Sequence, residues 1–599
     1  MYILGINDSH CATAALIKNG RIIACASEER FIRIKNAGGI PFKSIDYCLK
    51  QAHINPSSLD CVVFAGKTLP PLDYEEEKTL NQSRKSTAFA TKLYRWARHR
   101  HYFILRQTLE YKFPFFRKFN EAIYKIGLVL LVSRFMKQRS RIIANYLKIP
   151  EDRIDFIDHH LCHAYAGLYS SRFAAVNKKV LIFTCDCQGD GLCASVNIFR
   201  KGRFKRISET PMQNSLGSLY TETTIFLGMK PNEHEYKVMG LAPYAPKNSI
   251  EKTSKILRGL ISLDQKTLTF RSKVSSDLMA LFLRDNFSRL RFDYIAGAVQ
   301  KLTEDLLAQW IQTAVNKYKI RTIVCSGGVF MNVKANQKIA ALANVKNIFI
   351  MPSAGDESNA IGAAYWGYIA KTKKIPESLQ TLYLGPSYTN EHIEKVLSRN
   401  KISQKYHVKF YQEIEKQIAR LLAEKQIVSV FNGRMEWGAR ALGARSILAD
   451  ASRLDTRDKI NSIIKNRDFW MPFSPVILDR WQEKYLINPK RISSPYMTLT
   501  FNSTKIAQDH LKSAIHPYDK TLRPQIIKKD TNPFLYKILE LFENKTKMGG
   551  LLNTSFNLHG EPIVCTPEHA LATFENSGLR HLALENFLII KTNKVTRDV

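Results

Sequence analysis

A pattern of three β-rich runs occurs twice in this chain, and nothing else in the sequence restricts the fold as much. The first copy reads YILGI, ATAALIK, the turn Asn19-Gly20, then RIIACASEE. The second reads KVLIFTCD, LCASVNIFR, the turn Lys201-Gly202, then RFKRISE. Asn-Gly between two such runs is a strong hairpin signal. Two copies of a three-strand meander, separated by helical sequence, predict an internal duplication. A chain of 599 residues is also too long for a single core, so two or more domains are expected.

Two later glycine turns give the duplication a use. TIVCSGGVFMN is a strand running into Ser326, Gly327 and Gly328, followed by a predicted helix. IFIMPSAGDESNAIGAAYWGYIA is a strand, a loop and a helix rich in small residues. Both put backbone N–H groups at a helix N-terminus, where an anion can bind. One such turn alone would be read as a tight connection; two in sequence, with the duplicated meander, favour a nucleotide or adenylate. Gly189-Asp-Gly191 mimics a dinucleotide fingerprint, but the β-like run ASVNIF follows where a helix should open, so it is rejected. No P-loop occurs. The α/β pattern resembles the actin–hexokinase type of ATPase fold (ASKHA). A boundary falls near residues 372–386, giving an N-terminal domain over 1–375 and a mixed α/β C-terminal domain over 386–599.

Ten scattered cysteines without a C-x-x-C pair argue against a zinc ribbon or disulfide framework and fit a reducing cytosol. No secretory signal precedes the first strand, and the longest apolar run, residues 126–132, falls well short of the ~20 residues of a membrane helix. A cytoplasmic location is therefore expected. The net charge of +36 is compatible with nucleic acid, an anionic membrane surface or anionic substrates. It is concentrated in residues 81–150, with sixteen Lys and Arg against Glu110 and Glu121. There Phe89, Leu93, Trp96 and Ala97 fall at helical spacing among Lys92, Arg95, Arg98 and Arg100. Phe113, Phe115, Phe116 and Phe119 lie between Lys112, Arg117 and Lys118. Such a segment fits peripheral contact with an anionic membrane on the inner face, where each cation adds about 1 kcal/mol. The favoured alternative is an excursion that packs its aromatics on the N-terminal domain. No nucleic-acid motif accompanies the charge, so nucleic acid ranks third.

Asp158-His-His-Leu-Cys-His163 reads as a helix capped by Asp158, with His159 and His163 four apart on one face. Two imidazoles so spaced can chelate one divalent ion, or be an ordinary packed pair. His160 points elsewhere. Residues 429–482 place Arg434, Arg440, Arg445, Lys465 and Arg467 among glycines, with Trp437, Leu442, Ile447 and Phe473 between them. Guanidinium forks beside bare backbone suit a phosphate-bearing substrate, and the interleaved apolar residues argue against a merely solvated face.

The run Gly433-Arg-Met-Glu-Trp-Gly-Ala-Arg-Ala-Leu-Gly443, then Lys465-Asn-Arg467 and Pro472-Phe-Ser-Pro475, resembles the NodU/CmcH family of O-carbamoyltransferases. Further matches in family order, including Glu235–Tyr244, His516–Gln525 and Asn553–Asn557, extend the resemblance over nearly the whole chain. Ala439 and Ala245 depart from the family's Pro and Gly. The resemblance implies a YrdC-like C-terminal domain binding ATP, with its Mg2+, and carbamoyl phosphate through Arg440, Lys465, Arg467 and Arg523, with Asn553 toward the carbamoyl group. It implies an adenylate site in the N-terminal domain, to which Gly327, Gly328 and Asn332 are assigned. It adds Asp356 to His159 and His163 as ligands of an iron(II)-like ion, while the sequence leaves Fe, Mn, Zn and Mg open. His10 and Lys35 match positions facing the activated carbamoyl group; on sequence alone they are a turn histidine and a loop lysine. The implied reaction is ATP-dependent O-carbamoyl transfer to a small-molecule or sugar hydroxyl. The alternatives are a threonylcarbamoyl-adenylate tRNA-modifying enzyme and a non-catalytic binding protein. A homodimer is the oligomeric state kept open.

Overall fold

The computed structural model describes residues 1–68, 111, 113, 116–176, 178–465, 468 and 470–591. They form two compact units. One joins Met1–Ala24 to Asn36–Leu379; the other joins Cys25–Lys35 to the residues from Gln380 onward. The early segment therefore belongs with the second unit although it is encoded within the first.

In the first unit, strands β1 (Tyr2–Asn7), β2 (Thr13–Lys18), β3 (Arg21–Ser27), β4 (Cys61–Ala65) and β5 (Ile154–Ile157) form a sheet in the order β3-β2-β1-β4-β5. Strands β1 and β2 pair antiparallel, and β4 and β5 add in parallel. Strands β6 (Val180–Gly189), β7 (Leu192–Arg200), β8 (Arg203–Pro211), β11 (Thr322–Ser326) and β12 (Asn347–Ile350) repeat this order as β8-β7-β6-β11-β12, with the same antiparallel meander and parallel additions. The hairpin of β9 (Ile261–Asp264) and β10 (Thr269–Ser272) stands outside that repeat. A duplicated meander–parallel sheet is the ASKHA topology. Asn19 and Lys201, each before a glycine, take positive φ at the two predicted turns, as such hairpins require.

Short helix α1 (Glu29–Ile32) belongs to the second unit. Helix α2 (Phe116–Leu147) ends the basic segment. Its last turns bury Ile143, Ala144 and Leu147 against Leu4, Leu16, Val62 and Phe64 of the first sheet. Over this part, packing is the outcome. Phe89, Leu93, Trp96, Ala97, Phe115 and the side chains of Phe116 and Phe119 lie outside the described residues; Phe113 is 48% exposed. Helices α3 (His159–Ser170), α4 (Phe292–Tyr318) and α5 (Asn359–Thr372) complete the frame. A Cβ on Gly362 of α5 would lie 2.0 Å from the Cys162 carbonyl oxygen, so glycine lets α5 press directly on α3. Among the described residues no helix is long and apolar enough to cross a membrane, and all ten cysteines are free.

The second unit is built on an eight-stranded mixed sheet of β13 (His407–Phe410), β14 (Val428–Phe431), β15 (Arg445–Ala449), β16 (Ser474–Leu478), β20 (Gln525–Ile527), β21 (Gly550–Ser555), β22 (His581–Leu584) and β23 (Phe587–Ile590). Its order is β13-β23-β22-β14-β15-β21-β16-β20. Short strands β17 (Leu486–Ile487), β18 (Phe501–Ser503) and β19 (Thr521–Leu522) form a separate sheet.

Candidate metal centre and cation-rich loop

Asp158 caps α3 by accepting from the Leu161 amide at 2.8 Å, and Arg206 holds the same carboxylate at 2.5 Å. The i,i+4 spacing then stacks His159 and His163 on one buried face. Their Nε2 atoms lie 3.2 Å apart. Asp356, in the turn before α5, puts Oδ1 3.3 Å from His159 Nε2 and 3.4 Å from His163 Nε2. Asp186, on β6, puts Oδ2 2.9 Å from His163 Nε2 and 3.8 Å from His159 Nε2. One donor atom from each of the four lies within 4.8 Å of the others.

The cluster's chemistry fits a divalent cation. Two imidazoles and two carboxylates are a nitrogen–oxygen donor set suited to Zn, Mn, Fe or Ni, with no thiolate to narrow the choice. Burial would depress the His159 imidazole, but Asp356 and Asp186 raise it well above the ordinary histidine value. His163 is raised likewise against its burial, through Asp186 and Asp356. Despite burial, His159 and His163 keep the Asp186 and Asp356 carboxyls below their usual range. The site thus demands positive charge, which protons or a metal ion can supply.

The surroundings hold the ligands in place. Asp186 accepts from the Gly328 amide at 3.3 Å and the Cys187 amide at 2.6 Å. Ser9 donates to Asp356 Oδ2 at 3.0 Å. Asp190 accepts from the His159 amide at 2.8 Å. A Cβ on Gly189 would come within 2.1 Å of the His159 ring, so only glycine leaves room for that rotamer. His160 does point elsewhere: its Nδ1 meets Thr184 Oγ1 at 2.9 Å, and burial, then its two histidine neighbours, push it down to about 3.

The other residues predicted for the N-terminal site take different roles. His10 is half-buried, with Nδ1 3.0 Å from Cys11 Sγ. The predicted helix after Gly328 is first a 3-10 turn, Gly328–Met331; the α-helix starts at Val333. Asn332 caps that helix and exchanges two hydrogen bonds with Gln300, at 2.8 and 3.0 Å. Gly328's amide faces Asp186 rather than open space. Lys35 belongs to the second unit and is half-buried.

In the second unit the 433–443 motif is the loop between β14 and β15. Two of the cations grouped with it, Arg434 in the loop and Arg445 at the start of β15, face backbone carbonyls. Arg445 is fully buried; it donates to the carbonyls of Asn432, Ala444, Pro386 and Gly433 at 2.8–3.2 Å and lies 3.6 Å from the centre of the Phe431 ring. Arg434 donates to the Gly385 and Leu384 carbonyls at 3.2 and 2.7 Å. Glu436, fully buried, accepts from the Leu442 and Arg445 amides at 2.7 and 3.2 Å. These groups fold the loop.

Lys465, Asn553 and Arg523 make their contacts on or beside β21. Lys465 is 3% exposed and points its Nζ at the Ser555 carbonyl and, at 2.9 Å, that of Asn557. Asn553, two residues earlier on β21, donates to the Ala441 carbonyl at 3.2 Å and to Gln525 at 3.0 Å, while its Oδ1 is buried without a partner. Ser474 stands opposite Asn553 in the sheet and accepts two bonds from Arg523, at 2.9 and 2.6 Å. Arg440 is half-buried beside Ala441. Arg467 lies outside the described residues. Asp186 was not singled out in the sequence. The signal was its place at the end of the second-copy strand KVLIFTCD, where the first copy ends in Asn7-Asp8.

Residues 2–365 match the family description "Carbamoyltransferase N-terminus", and residues 419–591 match "Carbamoyltransferase C-terminus". The chain is 32% identical over 597 residues to "Uncharacterized protein MJ1051" of Methanocaldococcus jannaschii, covering 98% of this chain and 99% of that protein. It is 28% identical to "Nodulation protein NolNO" of Sinorhizobium fredii, covering 98% of this chain and 80% of the relative. It is 26% identical to the "3'-hydroxymethylcephem-O-carbamoyltransferase" of Streptomyces clavuligerus, over 45% of this chain and 49% of that enzyme.

Proposed function

Since the chain belongs to the carbamoyltransferase family and is a carbamoyl-transferring enzyme, we propose that it carbamoylates a hydroxyl through a carbamoyl adenylate. Carbamoyl phosphate is first hydrolysed: water adds its oxygen, the bond between the carbamoyl and phosphoryl groups breaks, and carbamate and phosphate result. Carbamate oxygen then attacks the α-phosphorus of ATP, and pyrophosphate leaves. An acceptor hydroxyl next attacks the carbamoyl carbon, the carbon–oxygen bond to AMP breaks, and the hydroxyl proton passes to a base. The relative that acts on a hydroxymethylcephem supports a hydroxyl acceptor of small-molecule type.

The roles follow from charge and placement. Arg440 and Arg523, with Arg467, offset charge on the phosphoryl oxygens, where positioning and electrostatics do most of the work. Lys465, whose Nζ is taken up by the Ser555 and Asn557 carbonyls, holds the end of β21. The unpartnered Asn553 Oδ1 can accept from a carbamoyl NH2. His159, His163, Asp186 and Asp356 would hold a divalent ion. When bound, such an ion would supply Lewis-acid charge. His10, half-buried after the first strand, orients the acceptor or takes its proton.

The observation that carries the reading is the convergence of four ligand atoms within 4.8 Å in a family of carbamoyl transferases. The test is pyrophosphate release with ATP and carbamoyl phosphate, followed by mass spectrometry for a carbamoyl increment on candidate sugars and hydroxylated small molecules. Pyrophosphate release that needs bicarbonate and threonine instead would replace this reading with threonylcarbamoyl transfer.

A further inference from the structure

Arg139, on α2 in the basic segment, is one of the largest fully buried side chains of the protein. Its guanidinium does not merely fill space. Nε and Nη2 grip both oxygens of buried Asp8, at 2.7 and 2.5 Å, and Nη1 donates to the Gly66 carbonyl at 2.9 Å. The rings of Phe64 and Phe156 lie 4.7 and 5.0 Å from its centre. Two loops meet on this one group, and each leads to a different metal-ligand candidate. After Asp8, Ser9 donates to Asp356 Oδ2 at 3.0 Å and to Asn7 at 2.8 Å. After Gly66, the amides of Lys67 and Thr68 and the Thr68 hydroxyl all bond Asp190, at 2.8–3.0 Å. Asp190 in turn accepts the His159 amide.

We propose that Arg139 is a positioning residue that locks the Asp8 and Gly66 loops together and so fixes Asp356 relative to His159. The inference rests on the metal reading above. A bidentate buried pair gives direction as well as attraction. Partners of metal ligands commonly change metal affinity 10–100-fold when altered. The basic segment thereby contributes one cation to the interior of the transfer site, whatever its other cations do.

The test uses the full chain stripped of metal by chelation, and titrates Mn2+ and Zn2+ by calorimetry. Arg139→Lys keeps the charge but cannot hold both Asp8 oxygens and the Gly66 carbonyl; Arg139→Met removes the charge. Metal affinity should fall by about tenfold in the first and about 100-fold in the second. Carbamoyl-phosphate-dependent pyrophosphate release should stay within about twofold of wild type, a split that general loosening of the fold would not give. Ser9→Ala, a small change on one arm alone, should weaken metal binding less than either and covers the case in which Arg139→Met does not fold. Wild-type affinity in Arg139→Lys and Ser9→Ala overturns the inference. A wild-type chain that binds neither ion overturns the metal reading and the inference with it.

Discussion

The His159–His163–Asp186–Asp356 cluster of the first unit and the 433–443 loop of the second are both dense in charge, but their charges face different things. In the cluster, imidazoles and carboxylates face one another, so each ionisation depends on its neighbours. In the second unit Arg434, in the loop, and Arg445, at the start of β15, face backbone carbonyls and are consumed in holding a glycine-rich turn. A charged side chain next to glycines therefore has two uses, binding an anion or satisfying the loop's own carbonyls. Only the geometry separates them.

Removing a ligand should break the comparison most strongly. Asp186→Ala should weaken divalent-ion binding by at least about 100-fold, since even partners of ligands are worth that much. It should stop transfer to the acceptor while leaving pyrophosphate release intact. Metal analysis and pyrophosphate release on one preparation decide it; a variant with full metal occupancy and normal transfer removes Asp186 from the site.

The loop divides next. Arg445→Ala leaves four carbonyls short of a donor and opens a cavity beside Phe431, so it should cost about 3–5 kcal/mol in unfolding free energy. Arg440→Ala should barely change melting but should slow the first half-reaction roughly tenfold to a thousandfold, the worth of a charge-assisted phosphate contact. Thermal melts and pyrophosphate release on both variants would expose an error at once. If Arg440→Ala unfolds and Arg445→Ala only slows the reaction, the two arginines have been assigned the wrong way round.

The sequence disclosed these regions unequally, for physical reasons. The duplicated sheet was legible because turn chemistry and strand runs are local, and Asn19 and Lys201 mark the same turn in both copies. His159 and His163 were legible because helix periodicity alone puts them together. Asp356 came only with the family resemblance, because the chain must close a sheet to bring it there. Asp186 stayed hidden as a single acid at a strand end, 23 residues from His163. Arg139 was hidden among sixteen cations, since composition counts charges and says nothing of which is buried. Arg445 was misread because no sequence pattern tells where a loop's carbonyls are aimed.

A further predicted effect is in pH, and it sharpens the contrast between the two regions. In the ion-free cluster His159 and His163 are raised above the ordinary histidine value, against their burial, by Asp356 and Asp186. Both imidazoles therefore keep protons to higher pH than a free histidine would. An incoming ion must expel those protons, because only neutral imidazole can donate its lone pair. Apparent metal affinity should then rise with pH through and beyond neutrality, by about tenfold per pH unit for each proton released. It should lose strength steadily as pH falls. Asp356→Asn removes a charge that raises His159, so the steep region should move to lower pH even as overall affinity drops. Arg440 and Arg523 remain charged throughout this range, so pyrophosphate release should follow a much flatter profile. Calorimetric titration of the metal-free chain at several pH values, beside the pyrophosphate assay, makes the measurement. A metal affinity independent of pH would mean that the imidazoles are already neutral in the ion-free protein, and that the carboxylates do not control them.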